Sequence, residues 1–73
     1  MQVKYYEVIF DADGTSICIK GKKPPTTEEA AAFLAKDMKE LGFNKVEQVR
    51  EISVEEAESS FDMENEARWP VFG

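Results

Sequence analysis

The chain has 73 residues, 42% of them hydrophobic and 33% charged, which is too apolar for a disordered segment and near the size where one core supplies only about 3 to 5 kcal/mol of net stability. A single cysteine and no histidine exclude an internal disulfide and any imidazole or multi-thiolate metal cage. The net charge of −6 is unevenly placed: residues 1–46 balance, whereas Glu47, Glu51, Glu55, Glu56, Glu58, Asp62, Glu64 and Glu66 face only Arg50 and Arg68 in the remainder.

Residues 1–10, MQVKYYEVIF, have no long apolar run and no cleavage pattern. Neither a signal peptide nor a membrane span is expected, and a reducing, cytoplasmic setting fits. Asp13-Gly14 between alternating apolar residues predicts a hairpin with these two in the turn. That register sets Phe10 opposite Ile17, Ile9 opposite Cys18, Val8 opposite Ile19 and Glu7 opposite Lys20. One face then carries Tyr6, Val8, Phe10, Ile17 and Ile19, and the other carries Val3, Tyr5, Ile9 and Cys18.

Within that hairpin, Val8-Ile9-Phe10-Asp11-Ala12-Asp13-Gly14-Thr15 resembles the opening motif of the haloacid dehalogenase superfamily. The resemblance implies a phosphatase in which Asp11 attacks phosphorus, Asp13 passes the proton and both help hold magnesium. It spans these eight residues. The family's later motifs, a Ser or Thr ending a second parallel strand, a phosphate-holding base and a further acidic pair, belong to a much larger fold. Because the residues after Thr15 read as a returning antiparallel strand, the turn is the preferred reading. Calcium would need about six to eight oxygen ligands, more than two carboxylates supply. No catalytic residue, metal or cofactor is assigned.

The stretch KGKKPPTTEE reads as a loop, since its two prolines cannot continue a ladder. Lys20, Lys22 and Lys23 in and beside it read as solvated. One long helix follows, opened by a Thr26/Glu29 capping box, striped by Ala30, Phe33, Leu34, Met38 and Leu41, and stopped at Gly42 with Phe43 folding back towards Met38. The segment KVEQVREIS fits a strand with Val46 and Ile52 on one face, although Val46 and Val49 also fit helical spacing. A strand is preferred, because a helical stripe would next meet polar Ser53, Glu56 and Ser60. Ser53 with Glu56 predicts a second capping box and a short helix. Cys18, mid-strand with no base nearby, reads as a packed thiol.

The expected fold is one small α+β domain over residues 1–73, ordered β-β-α-β-α, with 66–73 as a partly ordered tail. It has a three-stranded, mostly antiparallel sheet and one long helix on one face, the third strand lying antiparallel beside the first. The opposite face then shows Val3, Tyr5, Ile9 and Cys18, an apolar patch that either the carboxy-terminal residues or another chain must cover. The functional expectation is an interaction module, not an enzyme, with a protein partner that includes a second copy of itself as a homodimer; direct nucleic-acid and membrane binding are not expected. The alternative is an acidic inhibitor imitating a phosphate backbone in the basic groove of a nucleic-acid-handling protein. The candidate contact residues are Val3, Tyr5, Ile9, Cys18, Glu55, Glu58, Asp62, Trp69 and Phe72.

Overall fold

The structure is a computed structural model that describes residues 3–11, 15–61 and 69–72. Its elements are β1 (Lys4–Phe10), β2 (Ser16–Gly21), α1 (Thr27–Phe33), α2 (Ala35–Leu41), β3 (Val46–Ile52), α3 (Val54–Ser60) and β4 (Val71–Phe72). The sheet order is β3-β1-β2-β4, antiparallel except for the parallel pairing of β2 with β4. This is a small α+β domain with a mixed four-stranded sheet and three helices, where the sequence predicts three strands, one long helix and, after Ser53, the short helix seen as α3.

The hairpin forms two residues out of its predicted register. Tyr6 lies opposite Ile19, Glu7 opposite Cys18 and Val8 opposite Ile17, and the Phe10 N–H donates to the Thr15 carbonyl at 2.9 Å. The third strand explains the offset. The Asp11 N–H donates to the Lys45 carbonyl at 3.3 Å, and the Asp11 Oδ1 accepts from the amides of Asn44 and Lys45 at 3.4 Å each. Asp11 is thereby tied to the entry of β3 and does not pair with Ser16. A shift of two keeps every side chain on its expected face, so Tyr6, Val8, Phe10 and Ile19 still form the core with Ile17 packed against it.

β3 lies beside β1 as expected, with a bulge: Ile9 faces Gln48 but Phe10 faces Val46, so Glu47 is the extra residue. A bulge turns the strand by one side-chain position. Val46 and Ile52 therefore do not share a face. Val46 joins the core under α1 and α2 with Val49 against it, whereas Ile52 joins a second cluster with Cys18 and Ala57.

The predicted long helix is divided at Leu34, whose φ of −104° and ψ of 17° leave helical geometry. The hydrogen-bond ladder survives the break, with Leu34 N–H donating to Ala30 and Met38 N–H to Leu34 at 2.9 and 2.8 Å. In a straight helix, residues 30, 34 and 38 would drift about 80° around the axis. The break offsets that drift and keeps Ala30, Leu34 and Met38 in the core, while Phe33 and Leu41, expected in the same stripe, are 37% and 57% exposed. Both ends are sealed as predicted. Thr26 and Glu29 form the reciprocal capping box, Gly42 takes φ 79°, and the Phe43 N–H returns to the Met38 carbonyl at 2.9 Å. Phe43 then stacks on Phe10 at 4.5 Å between ring centroids.

β4 has no counterpart in the sequence reading, because a two-residue strand carries no periodicity. The Lys20 N–H donates to the Pro70 carbonyl at 3.0 Å, which fits a proline at a sheet edge, where no N–H is needed. Gly21 makes the approach possible: a Cβ there would sit 2.4 Å from the Phe72 carbonyl oxygen. Of the tail predicted over 66–73, residues 69–72 lie against the sheet.

Candidate interaction surface

The sheet face opposite α1 and α2 is covered by the chain itself. α3 sets Ala57 against Cys18 and Ile52, and Tyr5, Phe61 and Trp69 pack around them. Trp69 meets Tyr5 edge to face at 5.8 Å and Phe61 at 6.2 Å. Phe72 goes the other way. It packs against the core under α1 and meets Phe33 edge to face at 5.6 Å. The segment from Trp69 to Phe72 thus inserts one aromatic ring into each layer, astride the edge of β2.

The candidate residues separate accordingly. Cys18 is 4% exposed, Tyr5 and Trp69 are half-buried around it, Phe72 is half-buried in the other layer, and Ile9 is half-buried outside both clusters, so the expected open patch is largely a packed interior and its margin. The cause is α3, the short helix that Ser53 and Glu56 predict, together with Trp69, so of the two covers expected for this face it is the carboxy-terminal residues that lie over it. Val3 alone of this group is exposed, at 41%. Glu55 and Glu58 are exposed on the outer side of α3. Asp62 lies outside the described residues, as does Asp13.

Beside α3, charge is organised around Arg50. Its guanidinium bonds the Glu7 Oε1 at 2.9 Å and also bonds Glu56, and the Ser16 hydroxyl donates to the other Glu7 oxygen at 2.9 Å. The hydrogen bond that Arg50 donates to Glu56 leads the effects that raise the Arg50 pKa. This pairing alters the predicted second capping box. The Ser53 Oγ accepts from the Glu56 N–H at 3.1 Å, but the Glu56 carboxylate turns to Arg50 and does not return to the Ser53 backbone. Lys4 approaches Glu51 at 3.7 Å, with both side chains more than half exposed, a contact of little energetic weight. Glu47, Glu55 and Glu58 remain exposed with no ion pair among the described residues.

Asp11, the residue that the dehalogenase-like motif would make a nucleophile, spends one carboxylate oxygen on the two amides at the start of β3. The strand it ends is followed by an antiparallel return. Among the described residues no group of three or more His, Cys, Asp or Glu side chains is placed to hold a metal ion, and no helix is long and apolar enough to cross a membrane. Comparison with protein-family models, curated proteins and solved structures finds no match to the chain.

Proposed function

We propose that this protein is a binding module that presents the acidic surface along β3 and α3 to a basic protein partner. The observation that carries the reading is the distribution of charge around Arg50. That cation is already held by Glu7 and Glu56, which leaves Glu47, Glu55 and Glu58 facing outward on neighbouring elements. Unneutralised carboxylates of one sign steer a positively charged partner and fix its orientation. The covered sheet face supports this surface over sheet-face self-association, since Cys18 and Ile52 are already packed beneath α3.

The sheet edges point the same way. β3 presents Glu47, Gln48, Arg50 and Glu51 along an outer strand, and charged side chains there discourage edge-to-edge pairing. β4 is only two residues long.

The test is capture from a cell extract on the immobilised intact protein and on a Glu47→Lys/Glu55→Lys/Glu58→Lys variant, eluted with a salt gradient. The reading predicts basic proteins that bind the intact chain, release as salt rises and fail to bind the variant. Identical capture by both, or binding indifferent to salt, contradicts it. Competition by duplex DNA separates the narrower form of the reading, mimicry of a phosphate backbone in a nucleic-acid-binding groove, from a basic partner of another kind.

A further inference from the structure

A groove of about 360 Å³ opens where α1 and α2 meet the loop after Gly42, lined by Ala31, Ala35, Met38, Lys39, Phe43 and Asn44. Its volume falls within the range of about 300 to 1,000 Å³ typical of small-molecule sites, which combine an apolar lining with a few polar groups. The lining is built by three local devices. Ala31 and Ala35 leave space because they are small. Met38 is anchored in the core. Phe43 is held by its stack on Phe10 and by its backbone bond to Met38.

Two polar side chains stand at this apolar wall. Lys39 forms no ion pair and the Asn44 side-chain amide no hydrogen bond among the described residues. The Asn44 backbone N–H, by contrast, donates to the Asp11 carboxylate at 3.4 Å, which ties the residue to the end of β1. We infer that this groove binds a small aromatic carboxylate, its ring against Phe43, Met38 and the two alanines, and its carboxylate against Lys39 and Asn44. The chemistry is one of complementarity. Phe43 and the Met38 thioether favour an aromatic body, and an ammonium beside an amide favours a carboxylate.

The site lies across the sheet from α3 and does not depend on the acidic surface. The probe is 2-naphthoate, titrated into the intact protein and followed by heteronuclear NMR, with the neutral alcohol 2-naphthalenemethanol as the matched control. Saturable shifts at Ala31, Phe43 and Asn44 are expected, with weaker binding of the alcohol. Lys39→Glu, on an exposed position, should weaken naphthoate by roughly threefold or more, and Ala35→Trp should fill the groove and abolish binding while the spectrum stays dispersed. Equal affinity for acid and alcohol, shifts centred elsewhere, no saturable shifts, or unchanged binding in Lys39→Glu would overturn the assignment.

Discussion

Tyr6 is fully buried, yet among the described residues its hydroxyl finds no hydrogen-bond partner. Burial, with a smaller contribution from the negative charge of Glu51, raises its pKa above the ordinary 10.0. The unfolded chain ionises this phenol near 10 while the folded one keeps it neutral. The neutral phenol's contribution is therefore fully present below that pH and is lost as pH rises through the folded value. Tyr6→Phe removes the unsatisfied donor and this titration together. It should raise stability in urea by roughly 1 kcal/mol at neutral pH and flatten the alkaline decline; a clear loss of stability would show that the hydroxyl has a partner. Gly21 makes a second residue-scale case. Gly21→Ala places a methyl group against the Phe72 carbonyl, so it should cost about 1 to 3 kcal/mol. It should also shift Trp69 fluorescence to the red as the segment leaves the sheet.

At the level of elements, what was legible in the sequence is what local chemistry determines. The Thr26 cap, the left-handed Gly42 and the alternation in β1 and β2 each act within a few residues, and each appears where the residues predict. The departures arise from distant partners. Asp11 moves the hairpin register by binding Asn44 and Lys45, and Arg50 takes Glu56 away from its cap. The bulge at Glu47 explains why Val46 and Val49 show helical spacing within a strand. Energetic consequences follow for the caps. Ser53→Ala should cost about 1 kcal/mol by releasing the Glu56 N–H at the start of α3, and Gly42→Ala roughly 1 kcal/mol for forcing a side chain into the left-handed region. Both are read from urea midpoints, and neither should change the mass in solution.

For the molecule as a whole, the sequence places the excess acid in the last third but leaves open what covers the second sheet face. The apolar residues there are visible as a pattern; which of the two expected covers is used is not, because Trp69 lies 51 residues beyond Cys18 and α3 with its C-cap brings only Ala57 and Phe61 to this face from among polar neighbours. The same limit applies to the candidate surface. Glu55 and Glu58 are recognisable from charge alone, whereas the internal neutralisation of Arg50, which isolates them, depends on Glu7 in the first strand. By this reading the chain closes its own sheet and keeps its acidic side for another protein. Light scattering on the intact protein measures that directly: the mass of a single 73-residue chain across a wide concentration range is the predicted result. A stable dimer would show instead that self-association belongs to the native state.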